Sequence, residues 1–197
     1  SGLKNGDGKL VFSIGGQSAE MPVKVAGLAA AAKVSYVRDV MPVLARLGCN
    51  SGVCHGSKDG KNGFKLSLRG YDPLFDHIAL TDDLEGRRFN RAAPDKSLFL
   101  MKITGVAPHV GGVRIDADSN YYSILKTWVG AGVALDLDAS RVASSEVYTK
   151  EVTLGLPGMQ QQMAAVATFS EGTGRDVTHE SFLSSSDTDI ATVDESG

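Results

Sequence analysis

The chain has 197 residues and a formal net charge of −3, so it lacks the basic surplus that binds nucleic acid or an anionic membrane. Hydrophobic residues make up 42% and charged residues 22%, as in ordinary folded proteins. No run of about 18 apolar residues occurs, and we therefore expect no membrane span in this sequence.

The residue pattern predicts an α+β fold in three parts. A β-hairpin segment with a linker covers residues 1–30, a mainly helical domain covers 31–137, and a partial β domain covers 138–197. Ser1-Gly2-Leu3, without an initiator Met, is typical of an expression-tag remnant. We interpret the chain as a piece of a longer protein, so the lack of a visible signal peptide excludes no compartment.

Alternating apolar residues on either side of Gly15-Gly16 predict a hairpin in the first part. They are Leu10, Phe12 and Ile14 before the turn and Met21, Val23 and Val25 after it. Two strands cannot bury a core by themselves, so the hairpin needs a partner. The strands within 147–193 are one candidate for that partner.

Capping residues predict four helices in the middle part. The predicted starts are Ser35, Asp72-Pro73, Pro94-Asp95 and Ser119, and the predicted ends include Gly48, Gly105 and Gly130. In the second helix, Leu74, Ile78 and Leu80 form the predicted apolar side. The long loops between the helices are typical of a domain that surrounds a ligand or carries function in its loops.

Short apolar runs in the last part predict the strands of a β-sandwich. These runs contain Val152 and Leu154, residues 163–167, Val177, and residues 190–193. Turns are predicted at 156–158 and 171–174.

Both cysteines lie in Cys49-Asn50-Ser51-Gly52-Val53-Cys54-His55-Gly56. A c-type haem is bound through thioethers to two cysteines, and the His that follows the second cysteine binds the iron. The common motif has two residues between the cysteines, whereas this chain has four. Asn50, Ser51 and Gly52 are small turn formers that let the additional residues loop out. The sequence therefore predicts one covalent haem held by Cys49, Cys54 and His55.

Two other interpretations of this motif stay open. The cysteines form a structural disulfide and His55 is incidental, or the three residues bind zinc, for which no fourth ligand is evident nearby in the sequence.

His109 is the favoured sixth ligand of the iron. Pro108 fixes the backbone before it, and Gly111-Gly112 allow close approach to a flat macrocycle. Met101 is the alternative, although a Met at helical spacing is more often part of a core. We interpret His77 and His179 as exposed residues.

Arg88 is a candidate haem-binding residue. It lies in a cluster with Arg87 and Arg91, and a guanidinium matches the geometry of the haem propionate carboxylates. The alternative is a solvated, charged face.

Residues 37–133 resemble the cytochrome c domains of large planctomycete proteins. The matching pieces are residues 48–56, 62–72, 86–88, 94–98 and 108–112, and Trp128. The resemblance implies covalent haem and a periplasmic or cell-surface location. The recurrent Pro-His-Gly-Gly-Gly element of that family falls on residues 108–112, with Val110 in place of the first glycine, which implies His109 as the second axial ligand.

The last part resembles the start of a bacterial Ig-like domain of group 2. The matching pieces are residues 158–161, 167–173, 175–178, 184–187 and 190–194. The final strands of that fold have no counterpart here.

From the motifs and the resemblances we expect a monohaem, bis-His cytochrome c domain that transfers single electrons and is not an enzyme. The expected partners are a redox protein or other domains of the parent chain, and the oligomeric state is left open. A second hypothesis is a haem-based gas sensor or a peroxidase-like site with a weak sixth ligand. A third is an adhesion or scaffold module with a Cys49–Cys54 disulfide and no haem.

Overall fold

The computed structural model of the chain describes residues 4–28 and 33–197. The contacts divide the chain into two units, Ser1–Lys33 and Val34–Gly197. The boundary between the units lies close to the predicted limit at residue 30. The second predicted limit, at residue 137, does not separate two units, because the middle and last parts of the chain belong to the same one.

The first unit contains an antiparallel hairpin of β1 (Gly6–Ile14) and β2 (Gln17–Val25). The last residue of β1 pairs with the first residue of β2, which leaves Gly15 and Gly16 as a two-residue turn. Both glycines have positive φ values, 55° and 78°, as this tight hairpin turn requires. The predicted hairpin and its turn are confirmed.

Four short α-helices occur in the second unit. They are α1 (Met41–Arg46), α2 (Pro73–Thr81), α3 (Leu98–Ile103) and α4 (Asn120–Gly130). A π-helical turn, Tyr36–Val40, leads into α1, and 3₁₀ turns cover Leu68–Gly70 and Pro94–Lys96. The predicted caps are confirmed at three starts, where the side chains of Ser35, Asp72 and Ser119 each accept a hydrogen bond from a backbone amide in the first turn.

Two expectations about the helices are wrong. The third helix does not run on from Pro94, because Ser97 is extended and its hydroxyl accepts a hydrogen bond from the amide of Asn90. In α2, Leu74 and Ile78 are exposed and only Leu80 of the predicted apolar side is buried. The helix instead buries Asp76, whose carboxylate accepts hydrogen bonds from the amide and the hydroxyl of Ser67.

The strands β3 (Val142–Tyr148), β4 (Ala164–Phe169) and β5 (Gly174–Asp176) form a three-stranded antiparallel sheet with β4 at its centre. The predicted strand at 163–167 and the turn before β5 are confirmed, whereas the predicted strands at 152–154 and 190–193 are not formed. The hairpin strands pair with each other and β3, β4 and β5 pair among themselves. The hypothesised pairing of the hairpin with residues 147–193 stays a prediction, because the two segments belong to separate units.

The fold is α+β, with about 23% of the described residues in helices and about 19% in strands. The expectation of a mainly helical domain is wrong, because the helices are short, long loops connect them, and the helical fraction is therefore small. The core of the second unit is built from the helices, and Tyr36 stacks on Trp128 of α4 with ring centres 5.2 Å apart. In the parts of the chain that the structure describes, no helix has the length and apolar character required to cross a bilayer.

Candidate functional site

The cysteine segment begins where α1 ends. Gly48 adopts a φ of 74°, which glycine accepts without strain, and its amide donates to the carbonyl of Ala45. The amide of His55 donates to the carbonyl of Cys49 over 3.0 Å. This hydrogen bond closes the intervening residues, including Cys54, into one turn. The wider gap between the cysteines is therefore absorbed by local backbone structure.

Gly56 is needed for this turn. A Cβ atom at this position would clash with the carbonyl oxygen of Asn50 and would lie 2.9 Å from that of Ser51. Asn50 is itself 2% exposed. Any side chain at residue 56 would therefore force the turn open.

A cavity of about 650 Å³ lies beside this turn. Its size falls within the range of pockets that hold cofactors and other small ligands. All five residues predicted to bind the cofactor line the cavity, namely Cys49, Cys54, His55, Arg88 and His109. Apolar side chains from the helices and loops form much of the remaining wall, among them Leu44, Phe64, Leu66, Leu80, Leu98, Phe99 and Ile103.

The imidazoles of His55 and His109 lie close together at this cavity. Their ring centres are 6.4 Å apart and their planes are within 11° of parallel. Two imidazoles that bind one metal ion from opposite sides have ring centres roughly 6 Å apart, because each metal–nitrogen bond is about 2.0 Å long. The separation of these two rings therefore matches that of two imidazoles bound to one metal ion.

Hydrogen bonds orient both imidazoles by their Nδ1 atoms. His55 Nδ1 lies 3.0 Å from the carbonyl oxygen of Phe64, and His109 Nδ1 lies 2.9 Å from that of Gly112. A metal-binding His commonly donates one ring N–H to a carbonyl in this way, which fixes the tautomer and leaves the other nitrogen for the metal. Among the described residues, neither Nε2 has a hydrogen-bond partner, so both are available as ligands.

Burial keeps His55 neutral and the Cys49 thiol protonated. Burial lowers the pKa of His55 below its ordinary value of 6.5, the hydrogen bond to the Phe64 carbonyl opposes this, and the electrostatic effect of His109, Arg88 and Lys61 lowers it further. Burial likewise raises the pKa of the Cys49 thiol to about 12. The neutral imidazole is the form that binds a metal.

Both cysteines are free thiols. Within residues 4–28 and 33–197, no group of three or more His, Cys, Asp or Glu side chains is placed to hold a metal ion.

Arg88 is 7% exposed, and its guanidinium is hydrogen-bonded to backbone carbonyls of the chain. Its guanidinium donates to the carbonyls of Ala79 at 2.9 Å, Asp83 at 3.3 Å and Gly63 at 3.4 Å. It also lies 4.3 Å from the ring centre of Phe64. These contacts hold the segment that orients His55, so Arg88 stabilises the wall of the cavity whether or not it also contacts a ligand.

Four further cationic side chains line the cavity, and its lining contains no carboxylate. They are Lys61, Arg87, Lys102 and Arg114. In the described part of the chain, the side chain of Arg87 makes no hydrogen bond or ion pair. The cavity thus combines apolar walls with a positive charge, a combination that suits an apolar macrocycle with carboxylate substituents. The sequence motifs drew attention to Arg87. They did not indicate that Lys61, Lys102 and Arg114 line the cavity, because the spacing of these residues along the chain follows no recognisable pattern.

The other ligand candidates lie elsewhere. Met101 does not line this cavity, and His179 is exposed as expected. The expectation that His77 is exposed is wrong, because its ring packs 5.0 Å from Tyr36 and its Nε2 bonds to the carbonyl of Val133 at 2.8 Å.

Comparison with known proteins gives no relative, since no family model, no curated protein and no solved structure matches this chain. The family resemblances of the motifs remain expectations. The chemistry of the cavity is what supports a function.

Proposed function

We propose that the chain is a monohaem c-type cytochrome domain that transfers single electrons in an extracytoplasmic protein. The observation that carries this proposal is the pair of nearly parallel imidazoles, 6.4 Å apart, at a cavity that also contains two free thiols. His55 and His109 are the proposed axial ligands, and Cys49 and Cys54 are the proposed attachment points. The extracytoplasmic location follows from the resemblance to planctomycete cytochrome c domains.

Each proposed residue has a defined chemical task. The thiols of Cys49 and Cys54 would hold the haem through thioether bonds, for which each thiol would add across one vinyl group, its hydrogen passing to the neighbouring carbon with no oxidant. The haem supplies a reversible one-electron couple at its iron. His55 and His109 would hold the iron through Nε2, and with both bound the iron would have no free position for a substrate. Two His ligands also give a lower reduction potential than a His and a Met.

The cavity walls suit this task. Leu44, Leu66 and Phe99 exclude water from the site. The cations of the lining offset the charge of the propionates, and Arg87 is the better-placed partner because its guanidinium is free whereas that of Arg88 is engaged.

We also propose a cytochrome c-like arrangement for the helices of this region. The contact of Tyr36 with Trp128 supports it, because that contact brings the start of the first helical segment against the last helix. The Ig-like character of the last part stays a prediction. The sheet of β3, β4 and β5 agrees with it in one respect, which is that its strands are antiparallel.

The test is the covalent state of protein matured in a host with a haem-attachment system. We expect the intact mass under denaturing conditions to exceed that of the chain by one haem. The oxidised and reduced spectra should be those of a low-spin, six-coordinate iron. Cys49→Ser and Cys54→Ser should each retain at most one thioether, and the double variant should lose covalent haem.

A mass two hydrogens below that of the chain, with no Soret band, would show a Cys49–Cys54 disulfide and would end the proposal. The gas-sensor alternative has one observation in its favour, which is that His109 sits in a surface loop beside Val110, 97% exposed. Rapid binding of carbon monoxide to the reduced protein would support that alternative, whereas slow binding limited by loss of His109 supports bis-His ligation.

A further inference from the structure

Arg114 follows the loop that carries His109, and its side chain reaches across to the cysteine segment. Its Nε and Nη2 donate to the carbonyl oxygen of Leu47 over 3.0 and 2.6 Å. Leu47 lies two residues before Cys49, at the end of α1. The Arg114 backbone is itself anchored, because its amide donates to the carbonyl of Ile103 over 2.8 Å.

The same guanidinium also contacts the His109 loop. Its Nη1 donates to the carbonyl oxygen of Gly111 over 3.4 Å. Gly111 lies two residues after His109 and packs against its imidazole. One planar side chain therefore joins the two segments that carry the proposed axial ligands.

The other hydrogen bonds of the loop do not make this connection. The amide of Ala107 donates to the carbonyl of Met101, and the Lys102 ammonium donates to the carbonyl of Pro108, so both tie the loop to α3. In the described ranges, Arg114 alone hydrogen-bonds the loop region 104–114 to the cysteine segment 47–56.

The local geometry is shaped for a guanidinium. Gly48 leaves the space beside it, since a Cβ atom there would lie 2.9 Å from Arg114 Nη2. A guanidinium presents several donors in a rigid plane, whereas a lysine ammonium is a single flexible point charge. A lysine at this position keeps the charge but loses the bidentate contact with Leu47.

We propose that Arg114 is a positioning residue that sets the separation between His55 and His109. This inference rests on the proposed haem function. By holding the carbonyls of Leu47 and Gly111 to one rigid group, Arg114 keeps the His109 loop against the cysteine turn and so keeps His109 on the iron. Its loss lets the loop move away from His55, which weakens the sixth ligand without removing any ligand atom.

The experiment compares haem-loaded parent protein with Arg114→Met, Arg114→Lys and the control Arg91→Met. Arg91 is an exposed arginine of similar size that does not line the cavity. The readouts are the rate of carbon monoxide binding to reduced protein, the high-spin fraction of the oxidised spectrum, and the thermal unfolding midpoint. We expect carbon monoxide to bind roughly tenfold faster to both Arg114 variants, the effect of losing about one charged hydrogen bond. Arg91→Met should stay within about twofold of the parent, as expected of a surface substitution.

The outcomes separate the two proposals. A parent protein without covalent haem overturns the proposed function and this inference together. A bis-His parent whose Arg114 variants bind carbon monoxide at the parent rate overturns this inference alone, even if their unfolding midpoints fall. Full rescue by Arg114→Lys also overturns it, because charge and not the planar fork would then be the cause.

Discussion

At the scale of single residues, the site depends on glycines that make room for the imidazole and the turn. Gly111 has no side chain where His109 packs, and a Cβ atom there would lie 2.9 Å from His109 Cε1 and 3.2 Å from Nε2. Its φ is not in the left-handed region, so alanine fits its backbone. The atoms nearest to a methyl group at this position would therefore be those of the imidazole.

Gly111→Ala should displace His109 and weaken the sixth ligand. We expect roughly tenfold faster carbon monoxide binding to the reduced haem protein, since displacing the ring by a few tenths of an ångström costs about 1–2 kcal/mol. Gly155→Ala is the control, because a Cβ atom at residue 155 meets nothing within 4 Å. Equal rates for parent and Gly111→Ala would contradict His109 as an axial ligand.

Asp76 is a second residue with a predicted effect, because the protonation of its carboxyl group affects the free energy of unfolding. Burial raises the pKa of its carboxyl above the ordinary value of 3.8, and the charge of Asp72 raises it further, while the hydrogen bonds from Ser67 oppose the rise. The native state therefore binds the proton more tightly than the unfolded chain. The stabilising effect of that proton is complete below the unfolded pKa and is lost as the pH rises through the folded pKa.

The unfolding free energy of the parent minus that of Asp76→Asn should therefore fall as the pH rises from 3 to 7. Urea unfolding at a series of pH values measures this difference. Asp59→Asn, at an exposed position, is the control for removing a carboxyl group that is not buried. A difference for Asp76→Asn that grows with pH would show that the hydrogen bonds from Ser67 outweigh burial.

At the scale of elements, Phe169 joins the sheet to the first helical segment. It ends β4, is 3% exposed, and has two guanidinium groups near its ring centre, those of Arg38 at 4.0 Å and Arg175 at 5.4 Å. Arg175 also forms an ion pair with Asp39 and donates to the carbonyl of Arg38 over 2.7 Å. A buried aromatic ring in contact with cations is stabilised by burial and by cation–π attraction.

Phe169→Ala should lower the unfolding free energy by about 3–5 kcal/mol, the usual cost of deleting a buried aromatic side chain. The haem spectrum should be unchanged, because no residue of β4 lines the cavity. Phe182→Ala is the control, since Phe182 is 70% exposed and its loss should cost less than about 1 kcal/mol. Loss of the haem spectrum in Phe169→Ala would show that the sheet supports the site.

At the scale of the whole molecule, some residues of the apolar core in the second unit also form the wall of the cavity. Leu44, Leu80 and Phe99 belong both to the core and to the cavity wall. A ligand bound there would cover apolar surface of the cavity wall. A ligand that binds only the native state raises the stability of that state. The stability of this unit and the occupancy of its cavity are therefore coupled.

The Cys49→Ser, Cys54→Ser double variant should unfold at a temperature about 5–10 °C below that of the haem-loaded parent, which corresponds to a few kcal/mol for a chain of this size. Circular dichroism on heating measures the shift. The parent produced without haem is the control and should unfold together with the double variant. Equal midpoints for haem-loaded parent and double variant would contradict a haem within the core.

The sequence by itself determined the features that depend on neighbouring residues. Short-range backbone chemistry explains the turn at Gly15-Gly16 and the caps at Ser35 and Asp72. The sequence also gives directly the adjacency of Cys54 and His55. Helix starts and hairpin turns are readable because their determinants lie within four residues of each other.

The tertiary structure decided which residues meet across the chain. It placed the imidazole of His109 near that of His55, buried Asp76 in place of Leu74, and linked Arg114 to Leu47. These contacts depend on how separate segments pack, and in α2 a buried carboxylate with two hydrogen-bond donors outweighed the apolar periodicity. Local patterns carry no information on such long-range pairings, so the cysteine motif predicted a cofactor while the fold alone decided which side chains line the cavity.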